Sequence, residues 1–150
     1  MNYRALIFDD DRAIRQVLWK FFDRRGYEIF TFPNPGICPL SDEKICPCPE
    51  DQACADIIIS DIKMPFMNGL DFIDEQIKKG CKCNHLALMS GSFTDEYLTK
   101  AKSLEIKIFT KPFKLTEIEE WIESIEKNIN PNRKLADWYL NRINKQENAT

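Results

Sequence analysis

The chain is poor in histidine, in long apolar runs and in clustered positive charge. One histidine, His85, stands among 150 residues. It opens the apolar segment "HLALMS" and reads as a strand-start residue rather than a metal ligand or phosphoacceptor. No apolar run approaches the ~20 residues of a membrane span, and the N-terminus passes directly into a strand-like segment rather than a signal peptide. These absences argue against membrane residence and secretion, and a cytoplasmic location is expected. No basic run or patch is present, and the net charge is -3 with 30% charged residues, which argues against direct nucleic-acid binding. No internal repeat is evident. The length suits one domain able to bury its own core. The six cysteines are then unusual, because structural disulfides are uncommon in reducing compartments.

What the sequence does contain is an alternation of two periodicities. Arg4 to Phe8 ("RALIF") reads as a first strand, followed by Ile14, Val17, Leu18, Phe21 and Phe22 at amphipathic-helix spacing and a stop at Gly26. Tyr27 to Phe32 is a second strand and Ile57 to Ser60 a third, apolar enough to be buried on both faces. Leu70, Ile73 and Ile77 mark a helix ended by Gly80. "HLALMS" from His85 gives a fourth strand, and Thr94 caps a helix bearing Leu98 and Ala101. Ile106 to Phe109 is a fifth strand, and Leu115, Ile118, Ile122, Ile125 and Ile129 form the stripe of a longer helix before Pro131. Strands alternating with helices predict an α/β fold, a doubly wound five-stranded parallel sheet with helices on both faces.

One unit breaks the rhythm. Pro33 to Ala55 holds five prolines and four cysteines without helical periodicity, and reads as an irregular insertion replacing all or most of a helix. Residues 1–130 are expected to form the domain, with 33–55 as its insertion. Residues 131–150 are expected to form an amphipathic helical tail, with Leu135, Trp138, Tyr139 and Ile143 at helical spacing. That tail packs on its own domain or offers a surface to a protein partner or a second copy.

In open sheets of this kind, ligands bind at the carboxyl ends of the strands. Those ends carry Asp9, Asp10 and Asp11 after the first strand and Asp61 after the third. Ser90 follows the fourth, and Lys111, held by Pro112, follows the fifth. Converging carboxylates repel unless counter-charge is supplied. Three carboxylates, one divalent cation and one ammonium sum to zero. Mg²⁺ (or Mn²⁺) suits such a site, because it accepts a few carboxylates and keeps waters that a phosphoryl oxygen can displace.

"FDDD", "SDIKMPFMNG", "LMSGS" and "FTKPF", in this order on a β/α frame, resemble the receiver domain of two-component response regulators. The resemblance covers about Tyr3 to Ile129 apart from the insertion. It implies a flavodoxin-like sheet of order 2-1-3-4-5, with Asp61 as phosphoacceptor and Asp9 and Asp10 as the acidic metal pair. By the same resemblance the Lys63 backbone carbonyl is a further metal ligand, Ser90 hydrogen-bonds the phosphoryl group and Lys111 pairs with it. The donor would be a sensor histidine kinase or phosphotransfer protein bearing a phosphohistidine, or a small phosphodonor. Such a domain is not an enzyme in the ordinary sense, but a phosphoacceptor that catalyses its own phosphorylation and dephosphorylation. One departure stands out: the aromatic switch residue usual three positions before the lysine is here Ile108, with Phe109 expected on the opposite face of the strand.

Other residues have plainer readings. Asp11 is expected as a helix N-cap, Met64 and Met67 as loop packing, and Ser92 as a helix-entry residue. The cysteines suggest a second metal site at the amino end of the sheet: Cys54 precedes the third strand, Cys81 and Cys83 the fourth, and the insertion brings Cys38, Cys46 and Cys48. Four thiolates would suit structural Zn²⁺ or an iron–sulfur cluster, although C-x-C is not a common zinc spacing. Three rivals compete with the receiver reading. A haloacid-dehalogenase-like phosphatase would use Asp9 as nucleophile and Asp11 as acid, but continues Gly-Thr where this chain has Arg12-Ala13. A cysteine-based metal or redox module would need no Asp61. A flavodoxin-like electron carrier would need a Ser/Thr-rich phosphate loop after the first strand.

Overall fold

A computed structural model of the chain describes residues 2–143. Five strands form one parallel sheet: β1 (Arg4–Phe8), β2 (Glu28–Phe32), β4 (Ile57–Asp61), β5 (His85–Ser90) and β6 (Lys107–Thr110). Two-residue strands β3 (Gln52–Ala53) and β7 (Lys134–Leu135) pair with each other outside it. The sheet order β2-β1-β4-β5-β6 is the expected 2-1-3-4-5 when main-sheet strands alone are counted. β1 and β4 are buried along their whole length, as their apolar runs predict.

Helices α1 (Arg12–Arg24) and α4 (Leu115–Glu126) cover one face, where Leu18, Phe22, Ile118 and Ile122 pack on Ile7, Ile57, Ile59 and Met89. Helices α2 (Gly69–Lys78) and α3 (Asp95–Ser103) share the other face with the insertion, over Leu6, Phe8, Ile58 and Leu88. Thr94 caps α3 by accepting from Tyr97 N, and Asp11 caps α1 by accepting from Ala13 N at 2.9 Å. Both caps fall where the sequence places them. Ile108 packs on the α2–α3 face, while Phe109 is buried on the α1–α4 face against Trp121. The side-chain alternation of a strand produces that split.

The insertion has two 3₁₀ turns, Pro35–Ile37 and Pro39–Asp42, and strand β3. Prolines at the first positions of those turns suit short helical pieces, because their missing N–H would be unpaired there anyway. The tail differs from the sequence expectation. Leu135 lies in β7, Trp138 and Tyr139 lie in turns, and helical backbone begins only at Leu140. Residues 144–150 of the expected tail helix lie outside the described residues. The helical spacing fails because its apolar residues are consumed locally: Ala136, Tyr139 and Ile143 are buried in the domain's own core.

Arg4 ties these irregular pieces to the sheet. Its guanidinium is buried and donates to Cys54 O at 3.0 Å, Ala136 O at 2.8 Å and Asp137 Oδ1 at 2.8 Å. Tyr139 also donates to Cys54 O, and Arg133 grips buried Asp56 through two N–H donors. Insertion, first strand and tail therefore meet at the amino end of the sheet. Among the described residues no helix is long and apolar enough to cross a membrane.

Candidate functional site

β1 and β4 are neighbours in register, Phe8 against Ser60, so the residues that follow them emerge side by side. Asp9 is fully buried, Asp61 is nearly so as the last residue of β4, and Asp10 is exposed. Their carboxylate oxygens lie within 4.8 Å of one another. Lys111 Nζ reaches in from the end of β6, 2.7 Å from Asp9 Oδ2 and 3.5 Å from Asp61 Oδ2. Asp9 Oδ1 also accepts from Asp11 N at 2.8 Å, and Asp61 Oδ1 accepts from Ile62 N at 2.9 Å. Lys111 N donates to Ser90 O at 2.8 Å, which joins the ends of β5 and β6, and a cis peptide links Lys111 to Pro112.

Burial pushes the Asp61 carboxyl up to about 6, and the Asp9 charge adds to that rise against the pull of Lys111. For Lys111, burial acts to lower the pKa, but the hydrogen bond and charge of Asp9, with Asp61, hold it above the ordinary lysine value. One ammonium is thus shared between two buried carboxylates. The hard oxygen donors left over fit a small divalent cation.

Ser90 is buried at the end of β5. Its Oγ donates to Ser92 O at 2.9 Å and accepts from Ser92 N at 3.2 Å, so the hydroxyl is engaged by its own loop. Lys63 and Ser92 are exposed and line an open cleft of about 670 Å³ together with Asp10, Asn68 and Tyr97. Every predicted residue of the carboxyl-end site is therefore brought to one edge of the sheet.

Two contributors escape a reading by residue type. Gly69 is more than a turn residue: a Cβ there would lie 1.9 Å from Asp61 O. The first turn of α2 thus abuts the backbone of Asp61, with Asn68 capping the helix by accepting from Leu70 N and Asp71 N. Arg15 donates to Asp9 O at 2.8 Å and fixes the end of β1. The Asn-Gly after Met-Pro signals the first of these; a lone arginine in a helix turn signals nothing.

The cysteines behave otherwise. All six are free thiols. Among the described residues, the carboxylate trio is the one group of three or more whose ligand atoms all lie within 4.8 Å of one another. The expected zinc or iron–sulfur site is thus not supported by convergence of that tightness. Cys38 is fully buried, and that burial pushes its thiol up to about 12.

A doubly wound parallel sheet of this order, with an acidic trio and a lysine at the carboxyl ends of its strands, defines the flavodoxin-like class of phosphoryl-receiving signalling domains. Residues 5–123 match the response regulator receiver domain, and the chain belongs to that family. It is similar to the DNA-binding transcriptional regulator NtrC of Azospirillum brasilense, 34% identical over 132 residues, spanning 85% of this chain but 24% of that protein. It is also similar to sporulation initiation phosphotransferase F of Bacillus subtilis, 26% identical over 132 residues, covering 82% of this chain and 93% of that protein. Among solved structures, chemotaxis response regulator CheY4 of Vibrio cholerae superposes with a TM-score of 0.65 at 23% identity, over 83% of this chain and 99% of that one. The N-terminal domain of an uncharacterized Wolinella succinogenes protein gives 0.67 at 23% identity, over 85% and 95%. At such identity the structures speak to the fold alone. The two-component receiver reading stands, and the phosphatase, cysteine-module and electron-carrier alternatives are not favoured.

Proposed function

We propose that this receiver domain accepts a phosphoryl group on Asp61 from the phosphohistidine of a cytoplasmic sensor kinase or phosphotransfer protein, or from a small phosphodonor. The observation that carries this is the convergence of Asp9, Asp10 and Asp61 with a single ammonium, Lys111, shared between Asp9 and Asp61. The Asp61 carboxylate oxygen attacks phosphorus, the phosphorus–nitrogen bond breaks, and its electron pair leaves on the imidazole, which takes up a proton. Asp9, Asp10, Asp61 and the Lys63 carbonyl would hold Mg²⁺ (or Mn²⁺), which when bound supplies positive charge over the phosphoryl oxygens. Lys111 supplies further charge stabilisation from a preorganised position. Its bond to Asp9 positions it before the phosphoryl group arrives.

Ser90 contributes a hydroxyl donor once its bonds to Ser92 are exchanged for the phosphoryl oxygen. That exchange would move the loop leading into α3, shifting a pre-existing equilibrium rather than creating a new state. Ile108 has no aromatic ring to turn between buried and exposed positions, so the signal leaves through the Ser90–Thr94 loop and α3 toward a protein partner or a second copy. The chain is its own catalyst for phosphorylation and dephosphorylation.

Incubation with acetyl phosphate and Mg²⁺ tests the proposal by intact mass. One phosphoryl adduct is expected, absent in Asp61→Asn and suppressed by EDTA. An undiminished adduct in Asp61→Asn, or full labelling in EDTA, would overturn it. Sustained turnover of a chromogenic phosphate ester that is lost in Asp9→Asn and kept in Asp61→Asn would favour the phosphatase instead.

A further inference from the structure

An isoleucine at position 108 has no ring to turn, so a change at Asp61 must reach α3 by another group. A different aromatic residue stands on that route. Tyr97, in the first turn of α3, is half-buried and packs on the same core face as Ile108. It lines the open cleft beside Asp10, Lys63 and Ser92. Its hydroxyl accepts from Asn68 Nδ2 at 3.0 Å, across the gap between the loop that follows Asp61 and the helix α3.

The two ends of this hydrogen bond are tied to different loops of the site. Asn68 Oδ1 accepts from Leu70 N at 2.8 Å and Asp71 N at 3.2 Å, which leaves Nδ2 to face Tyr97 and fixes the orientation of the amide. The next residue, Gly69, donates its N–H to Ile62 O at 2.9 Å and abuts the Asp61 carbonyl. Asn68 is therefore held in place relative to Asp61. Tyr97 belongs to the other loop, because its N–H donates to Thr94 Oγ1 at 3.1 Å. When Ser90 exchanges Ser92 for a phosphoryl oxygen, the Ser90–Thr94 loop moves and Tyr97 travels with it, while Asn68 stays. Lys100 also crosses from α3 to α2, 3.2 Å from Asp74 Oδ2 and 3.7 Å from Asp71 Oδ1. Those pairs are open to solvent, where screening leaves them little weight.

We propose that Tyr97 is a positioning residue for the phosphoryl site. Its hydrogen bond with Asn68 holds α3 in the unphosphorylated arrangement, and release of that bond takes the place of ring rotation at position 108. The proposal rests on Asp61 being the phosphoacceptor. A bond made in only one of two arrangements biases the equilibrium between them by its net contribution, roughly 2- to 10-fold for one hydrogen bond. Removing the bond makes the displaced arrangement that much easier to reach. A ligand that needs the displaced arrangement then binds tighter by the same factor. Loss of a merely structural bond would instead loosen the site and weaken binding.

Titration of the full chain with beryllofluoride and Mg²⁺, followed by fluorine NMR, tests this, with beryllofluoride standing in for the phosphoryl group on Asp61. Tyr97→Phe keeps the ring and removes the hydroxyl. Asn68→Ser keeps a capping oxygen for α2 and removes the amide donor. Each variant should bind beryllofluoride roughly 2- to 10-fold more tightly than the unaltered chain. The double variant should bind no more tightly than either single one, because both remove the same bond. Should one variant fail to fold, the other decides against the unaltered chain. Unchanged or weaker binding, or gains that multiply in the double variant, would overturn the role of Tyr97 alone. Acetyl phosphate labelling run alongside separates that failure from a failure of the site. An unaltered chain that takes no label at Asp61 would overturn the phosphoacceptor assignment and this proposal with it.

Discussion

At the carboxyl end of the sheet, Asp9, Asp10 and Asp61 project from the ends of two neighbouring strands, and Lys111 from a third. At the amino end, Cys46, Cys48 and Cys81 hang from loops, and Cys54 follows a strand of two residues. Paired strands fix their side chains within narrow limits, so the carboxylates converge without help. Loops do not, and the amino end is fastened from outside, by Arg4, Arg133, Trp138 and Tyr139. The carboxyl end is held by the sheet; the amino end is held by its cross-links. The first stores like charge at a cost in stability, and the second draws stability from whatever bridges it.

The largest expected effect falls on that external fastening. Arg4→Ala takes the guanidinium donor from the Ala136 carbonyl and the Asp137 carboxylate and leaves the Cys54 carbonyl to Tyr139 alone, and should lower unfolding free energy by about 3–5 kcal/mol. Urea titration measures it. A loss below about 1 kcal/mol would mean that the amino end holds without the tail.

Next comes the close approach at Gly69. Gly69→Ala sets a methyl against the Asp61 backbone and should cost about 2–3 kcal/mol, together with most of the phosphorylation rate. Unchanged labelling and stability would show that α2 can back away, and that the carboxyl end is less rigid than the amino end requires for the contrast to hold.

The third effect has the opposite sign. Burial holds the Asp61 proton more tightly in the folded chain, to about 6, than in the unfolded chain. The stabilising contribution of the protonated form is complete below the ordinary Asp value, near 4. It is lost as pH rises through about 6. Asp61→Asn should therefore stabilise the metal-free protein by about 1–2 kcal/mol at pH 7.5, a gain that shrinks below pH 5. Thermal unfolding across that pH range measures it. A destabilised variant at neutral pH would contradict the idea that this end carries unfavourable charge.

The smallest effect concerns acyl-phosphate lifetime. Lys63 and Ser92 flank the site, and neither side chain is itself a carboxylate or amide that could position an attacking water. Lys63→Asn should speed dephosphorylation a few-fold, well short of the ~10²-fold that a positioned general base contributes. Equal or slower decay would show that neither residue sets the lifetime.

The same contrast explains what the sequence made legible. Strand and helix periods located the main-sheet strands, and with them the ends that carry Asp9, Asp61, Ser90 and Lys111. Asp11 and Thr94 could be read as caps because capping is a local act. The β3–β7 pair was not legible, since two residues carry no period. The stripe of Leu135, Trp138, Tyr139 and Ile143 looked helical because its spacing is compatible with a helix, yet tertiary contacts with Arg4 and Cys54 bend it into a strand and turns. Arg4 itself resembled an ordinary charged strand start. Its burial depends on residues some 130 positions away, which no local pattern reveals.

The most direct test maps the phosphoryl group at both ends of this contrast. The wild-type chain and Cys48→Ser are treated with acetyl phosphate and Mg²⁺, trapped with borohydride and digested for peptide mapping. A single reduced residue at position 61 in both proteins is expected, and none without Mg²⁺. Label at Asp9 or on a cysteine, or Mg²⁺-independent label at Asp61, would contradict the assignment of the chemistry to the carboxyl end of the sheet.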